Sequence, residues 1–374
     1  MSGGSPDVAI AGAGIVGAAC AWECARRGLR VRVFERAGVG GGATAAGMGH
    51  IVVMDDSEAQ FALTRCSQRL WQELRPELPA AVEYESAGTL WVAADEEEMA
   101  EVERKRGYYE ARGVACEAVS AAELAALEPN LRPGLTGALL VPGDAVVYPP
   151  CAAQYFLAQA VAAGAEVSLG SPIVALGEGR VRLANGETVR AGRIVNACGA
   201  WAPELTSGLA IRPRKGHLLI TDRYPGFVRH QIVELGYLKS AHSLTLDSVA
   251  FNVQPRHTGQ VLIGSSRQFG AADGAVEAPM LARMLARAQA YMPVLGRLSG
   301  LRAWTGFRAA TPDKLPLIGP VPGDDSLYLA TGHEGLGITT SLATGRLIAD
   351  LLTGAPLSLP AEPYLPSRTL SHED

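Results

Sequence analysis

The chain has 374 residues, 48% hydrophobic and 19% charged, with a net charge of −5. That size calls for roughly two domains, and that composition is globular rather than disordered. There is no basic block to hold nucleic acid, no apolar run of the roughly 20 residues that a membrane span needs, and no CxxC pair among the six cysteines, so buried thiols in a reduced, cytoplasmic compartment are expected and a metal site is not.

In chain order, the short apolar run VAIA at 8–11 predicts a buried parallel strand. Asp7 before it, Glu23 after it and the glycines within mark 8–22 as folded strand and helix, not a signal segment. Residues 15–27 predict an Ala-rich helix stopped by Gly28, and 29–35 a second strand ending in Phe34-Glu35. Helix-periodic stretches follow at 57–78 and 95–113, with a strand–turn–strand pattern at 83–93 between them. A short helix is expected at 121–127, a second Ala-rich helix at 149–164 and a strand at 166–168. A hairpin is expected over 181–190, turned at Asn185-Gly186, then an apolar strand at 193–197. From 212 to 267 the strand-like segments HLLIT, YLKS, SVAFNVQP and QVLIGSS dominate. Helix is expected at 276–292, strand at 327–330 and a last helix at 335–353, and the Pro-rich tail from 356 wraps the surface.

Strand, turn, helix and strand over the first 35 residues enclose Gly12-Ala13-Gly14-Ile15-Val16-Gly17. Gly12 permits the tight turn, Gly14 lets the backbone approach a pyrophosphate, and Gly17 lets helix and strand pack closely. The helix start offers N–H groups and a positive dipole end to phosphates. Glu35, followed by Arg36, ends the second strand where a carboxylate accepts from a ribose 2′-OH, which disfavours a 2′-phosphate and hence NADP. A second small-residue run at 38–49, GVGGGATAAGMG, separates FAD from NAD, because an extended FAD needs another close-approach loop there. The βαβ pieces come from the start, middle and end of the chain, with strand-rich pieces between. The fold class expected is α/β: a Rossmann-like FAD/NAD(P)-binding domain (4–79, 144–210 and 308–366) with an interleaved α+β substrate domain (80–143 and 211–307) built on an antiparallel-rich mixed sheet.

Five segments, in order, resemble the D-amino-acid oxidase-like flavoproteins, a family that includes glycine oxidase, monomeric sarcosine oxidase and the D-amino-acid dehydrogenases. They are GAGIVG with Glu35; ATAAGM at 43–48; NACGAW at 196–201; GFRAATPDKLPLIGP at 306–320; and GHEGLGITTSLATGRLIADLL at 332–352. The resemblance implies an FAD site in which Ala43, Thr44, Ala46, Gly47 and Met48 line the pyrophosphate and ring. Val174 matches a strand residue whose backbone contacts the adenine, and Ala197, Gly199 and Trp201 match the turn after the middle strand. Arg308 matches the position that pairs with the substrate carboxylate, a task suited to a two-pronged, always-charged guanidinium. Gly332, His333, Glu334, Gly335, Leu336 and Gly337 match a loop closing over the flavin. The helix from Ile338 would aim its N-terminus at the ring and stabilise its reduced anion.

Departures from family members refine the expectation. Sarcosine oxidase tethers its flavin through a cysteine where this chain has Gly306, and dimethylglycine-type enzymes through a histidine where it has Thr44, so FAD is expected to be non-covalent. The oxygen-activating lysine of sarcosine oxidase aligns with Leu262, pointing toward a dehydrogenase, although glycine oxidase also lacks it. The implied reaction is oxidation of an amine beside a carboxylate by hydride transfer to flavin N5, with Arg308 as anchor and Tyr237 and His333 as pocket candidates. SVAFNVQPRHTGQVLIGSSRQF and GHIVVMDD look nearest to D-hydroxyproline dehydrogenase and opine oxidase catalytic subunits. That resemblance makes cis-4-hydroxy-D-proline the leading substrate, then D-proline or a simple D-amino acid, with partner subunits passing electrons onward or a homo-oligomer instead, and with membrane association only through partners. The rivals are a glycine- or sarcosine-type oxidase using O2, an opine-cleaving subunit, an NAD-dependent dehydrogenase, an electron-relaying flavoprotein without its own substrate, and a tRNA-modifying flavin domain, which the acidic charge disfavours.

Overall fold

A computed structural model describes residues 4–236, 247–271 and 273–370. Two sheets dominate. The six-stranded sheet runs Leu317–Val321, Asp324–Thr331, Arg193–Asn196, Val8–Ala11, Val31–Phe34, Glu166–Ser168. It is parallel except for the edge strand Leu317–Val321. Parallel strands must be covered on both faces, and alternation along Val8–Ala11 shows how. Val8 and Ile10 pack under the helices Ile15–Ala25, Pro149–Ala162 and Gly337–Thr353. Ala9 faces the small three-stranded sheet carrying Val181, Leu183 and Val189. The first and last helices cross closely at Gly345, where a Cβ would lie 2.7 Å from the Ala19 carbonyl oxygen.

The eight-stranded sheet runs Gly300–Ala310, Arg212–Arg223, Gln260–Phe269, Ser248–Pro255, Gln231–Glu234, Thr89–Ala93, Gly137–Val141, Glu117–Ser120. Its neighbours are antiparallel except Gln231–Glu234 with Thr89–Ala93. The expected α/β fold with a second, antiparallel-rich mixed sheet is what forms. Helix Ala278–Tyr291 covers one face, with Tyr291 stacked on Phe251 at 4.8 Å. Helix Glu96–Glu110 covers the other through Val102 and Tyr109. Among the described residues no helix is long and apolar enough to cross a membrane, and no group of His, Cys, Asp and Glu is placed to hold a metal.

Most expected elements form with ends shifted by a few residues, and the 121–127 helix forms over Ala121–Leu127. The first half of the expected 83–93 pair does not form a strand. Glu83 takes a left-handed φ of 50°, Glu85 makes only an isolated bridge to Val146, and the strand begins at Thr89. The YLKS segment lies outside the described residues. Strand Gly300–Ala310 was not expected. Its sequence GLRAWTGFRAA breaks the period-2 pattern with glycine and arginine, and pairing over its length with Arg212–Arg223 makes it a strand.

Asp144 is a buried carboxyl that accepts from Gln68 Nε2 at 2.8 Å and from the Val53 amide at 3.3 Å. Burial pushes it up to about 7, against the hydrogen bonds. Below the ordinary carboxylate range both folded and unfolded chains hold this proton. Between there and about pH 7 only the folded chain does, so its stability contribution is lost as pH rises through that window. Asp144→Asn, which keeps an acceptor oxygen without the charge, is therefore expected to raise the Tm at pH 8 and to flatten its change between pH 5 and 8. A Tm lowered equally at both pH values would show that the charge is not what matters.

Candidate active site

A cavity of about 460 Å³ lies where the two sheets meet. One end is built by the first strand–helix unit. Gly12 adopts φ +99°, and a Cβ there would lie 2.9 Å from the Ala197 carbonyl oxygen. Gly17 does not line the cavity. It is a packing glycine whose Cβ would stand 2.1 Å from the Gly12 carbonyl oxygen. The Glu35 carboxylate accepts from the Ala13 amide at 2.8 Å and the Ala37 amide at 2.9 Å, which fixes it at the strand end. Thr44 Oγ1 accepts from the Ile15 amide at 3.0 Å, so the hydroxyl proton remains available to donate. The Arg36 guanidinium sits 4.8 Å from the Trp201 ring centroid.

The other end is built by small residues in contact. A Cβ on Gly306 would fall 2.3 Å from Ala46 Cβ. One on Gly216, paired opposite Gly306, would fall 2.3 Å from Arg308 Nη1. Gly337 and Ile338, which open the last helix, line the same cavity as Gly14 and Ile15, which open the first. Arg308 projects into this end and donates from Nη1 to the Ser266 carbonyl at 3.0 Å. Ser266 is itself held from behind the sheet. Its Oγ accepts from the His217 amide at 2.8 Å and lies 2.9 Å from His217 Nδ1, while His217 Nε2 accepts from the Glu277 amide at 3.0 Å. An accepting Nε2 puts the proton on Nδ1. Burial first, then the Lys215 charge, keep the His217 ring below its ordinary range and so neutral.

Gly12, Gly14, Ile15, Val16, Glu35, Arg36, Ala43, Thr44, Ala46, Gly47, Met48, Ala197, Gly199, Trp201, Gly306, Arg308, Gly332, His333, Glu334, Gly335, Gly337 and Ile338 all line this cavity, as the sequence led one to expect of a single site. Several expected roles need correction. The His333 ring is not aimed at a substrate. It is 7% exposed, its Nε2 lies 3.0 Å from Thr344 Oγ1 on the last helix, and burial pushes it down to about 3. The Glu334 carboxylate is paired with buried Arg214, so its charge is already matched within the protein. Leu336 lies outside the lining and packs toward the Val52–Met54 and Tyr109 cluster. The Val174 side chain is 48% exposed while its neighbour Ile173 lines the cavity, so a contact to the cofactor from Val174 would come from its backbone, as expected of it. Tyr237 lies outside the described residues.

Sequence reasoning missed His50, Asn252 and Ser265, all of which line the cavity. The one local signal was polarity in apolar company. His50 breaks a small-residue run, and Asn252 and Gln254 interrupt SVAFNVQP. Asn252 Oδ1, Gln254 Oε1 and His50 Nε2 are buried without a close partner among the described residues.

The arrangement fits a dinucleotide: two helix N-termini, a glycine cradle that a Cβ would fill, a carboxylate fixed at the strand end and an open hydroxyl donor at Thr44. The FAD dependent oxidoreductase family profile, DAO, matches residues 7–351. The chain is similar to the glycine oxidase of Geobacillus kaustophilus, 29% identical over 373 residues and 96% of each chain. A crystal structure of glycine oxidase from that species superimposes with a TM-score of 0.88 at 27% identity, covering 98% of this chain and 99% of that one. It is similar to the hydrogen cyanide synthase subunit HcnC of Pseudomonas aeruginosa, 28% identical over 413 residues, covering 97% of this chain and 96% of the relative. The L-proline dehydrogenase structure from P. horikoshii aligns with a TM-score of 0.86 at 26% identity over 97% of each chain.

Proposed function

The chain belongs to the FAD-dependent oxidoreductase family matched over residues 7–351, and from that premise we propose that it oxidises the carbon–nitrogen bond of a small amino or imino acid, with Arg308 holding the substrate carboxylate. The observation carrying this reading is that Arg308 shares one cavity with the dinucleotide cradle and stands over Gly216, where no side chain fits. When bound, FAD supplies the two-electron acceptor for the hydride leaving the α-carbon. The chain's own residues do the rest. Ser266 and, behind it, His217 hold Arg308 in place, so a carboxylate bound there sets where the α-carbon lies. The N–H groups of the last helix, opening at Gly337, point a positive dipole end into the cavity. Thr44 and the Gly12–Gly17 turn hold the pyrophosphate. In this proposal residues 4–79, 144–210 and 311–366 serve FAD and 80–143 and 211–310 serve substrate, the boundary expected at 307/308 being moved so that strand Gly300–Ala310 stays whole in the substrate sheet.

Within this class the leading substrate is a cyclic secondary amine, cis-4-hydroxy-D-proline or D-proline. The likeness to a proline dehydrogenase supports the cyclic amine, and the likeness to glycine oxidases keeps glycine and sarcosine as the second reading. The likeness to HcnC, named as a synthase subunit, supports work with partner subunits. An anaerobic screen of glycine, sarcosine, D-proline and cis-4-hydroxy-D-proline, scored by bleaching of the flavin absorbance, tests the reading. Bleaching by none of them would reject it and leave an electron-relay role.

Two further outcomes concern the cofactor. FAD is held without a covalent bond in this proposal, because Gly306 leaves no volume for a tethering side chain beside Ala46. Acid precipitation should release the flavin quantitatively into the supernatant, and yellow colour retained in the pellet would contradict this. Thr44→Val removes the acceptor for the Ile15 amide and the donor toward phosphate. It is expected to weaken FAD binding about tenfold, the worth of one or two lost hydrogen bonds, as read by flavin fluorescence titration of the apoprotein. An unchanged Kd would remove Thr44 from the cradle.

A further inference from the structure

His50 sits on the two-residue strand His50–Ile51, paired antiparallel to Ala145–Val146. Its carbonyl accepts from Thr339 Oγ1 at 2.8 Å, which clamps the backbone to the last helix. The residue lines the cavity at the Arg308 end. Its Nε2 is buried beside Gln254, whose Nε2 is committed to the Met48 carbonyl at 2.6 Å. Gln254 therefore has only its carbonyl oxygen, itself without a close partner, to offer the imidazole. Neither that oxygen nor His50 Nε2 has a hydrogen-bond partner among the described residues, and the pairing open to them puts the imidazole proton on Nε2 and the lone pair on Nδ1.

Chemistry requires such a lone pair. A hydride leaves the α-carbon only when the attached nitrogen has an electron pair with which to form the C=N bond, and an amino acid arrives near neutral pH as an ammonium. We propose that His50 is the proton acceptor of the reaction, its Nδ1 taking the ammonium proton while the substrate carboxylate rests on Arg308. One substrate N–H bond breaks and its electron pair stays on nitrogen, one Nδ1–H bond forms, and charge is conserved. The inference rests on the amino-acid reading above.

The surroundings favour this acceptance when substrate is bound. Burial first, then the Arg308 charge, push His50 down to about 4, so it waits neutral. Among the described residues Arg308, from strand Gly300–Ala310, is the charged group acting on it. Gln254 and Thr339 are neutral, and the Glu334 carboxylate near Arg308 is already paired with Arg214. A carboxylate docking on Arg308 offsets the second of these two causes and leaves the burial, so the imidazole is a better proton acceptor with substrate bound than without it.

The test uses the FAD-loaded enzyme, whichever of the four amines bleaches it fastest, and His50→Gln and His50→Asn. Wild type should show a second-order rate of flavin reduction that is nearly flat between about pH 6 and 9. The variants must wait for the rare neutral amine, so their rate should fall about tenfold per pH unit below the amine's own pKa and meet the wild-type value near about pH 10. Binding of tetrahydrofuran-2-carboxylate, which has the carboxylate but no N–H, should be unchanged and so report an intact Arg308 anchor. Profiles parallel to wild type, or the same loss at every pH, overturn the assignment of His50 alone. Failure of every amine to bleach wild type overturns the amino-acid reading and this inference with it.

Discussion

Arg308→Ala is expected to lower kcat/KM for a carboxylate-bearing amine by about 10- to 150-fold, the worth of one charged, hydrogen-bonded contact at ~1.5–3 kcal/mol. Most of the loss should fall on KM, because the guanidinium binds the same carboxylate before and during hydride departure. The geometry is specific enough for the test to be sharp. Nη1 is held by the Ser266 carbonyl at 3.0 Å, and Ser266 is held in turn by His217. Arg308→Lys should recover only part of the activity, since an ammonium offers a point charge without the planar fork. Flavin content must be measured alongside, because the side chain also packs against Gly216. A kcat/KM within threefold of wild type, with flavin retained, would show that the carboxylate is anchored elsewhere.

Gly17→Ala is expected to have the largest effect on the cofactor. The added Cβ would meet the Gly12 carbonyl oxygen at 2.1 Å and its carbon at 3.1 Å, both backbone atoms that cannot swing aside. Either the helix start or the dinucleotide turn must move. Relief of such overpacking costs about 1–3 kcal/mol, and the same displacement spoils the alignment of helix N–H groups with phosphate. The variant should purify largely without flavin and with a Tm several degrees lower. Gly38→Ala is the matched control, since nothing lies within 4 Å of its added Cβ. Equal Tm and equal FAD content in the two variants would mean that the close approach at Gly17 does not matter.

The two expectations differ in what made them visible. Gly12, Gly14, Gly17 and Glu35 are a local pattern. Strand, tight turn and helix follow one another within 35 residues, and the physical demand on each glycine comes from neighbours a few positions away or from the adjoining strand. Such demands are written in sequence spacing. Arg308 was found only through resemblance, because nothing in GFRAATPDK announces a strand or a cavity. Its role depends on the pairing that sets Gly306 opposite Gly216 and Arg308 opposite Arg214, between segments about 90 residues apart in sequence.

His333 and His50 show the same division. From the sequence, His333 in a closing loop looked the better candidate for chemistry, and His50 was one polar residue in a run of small ones. Rotation of the last helix decides otherwise. It turns the His333 ring onto Thr344, and its Thr339 hydroxyl clamps the His50 backbone in the cavity wall. The sequence by itself determined the βαβ unit and the second antiparallel-rich sheet, because periodicity and glycine spacing act over short range, and its resemblance to a flavoprotein family supplied the flavin chemistry and the segments that meet around it. Only the tertiary structure decided which side chains of those segments face the substrate, because strand register and helix rotation are settled by packing between elements far apart in the chain.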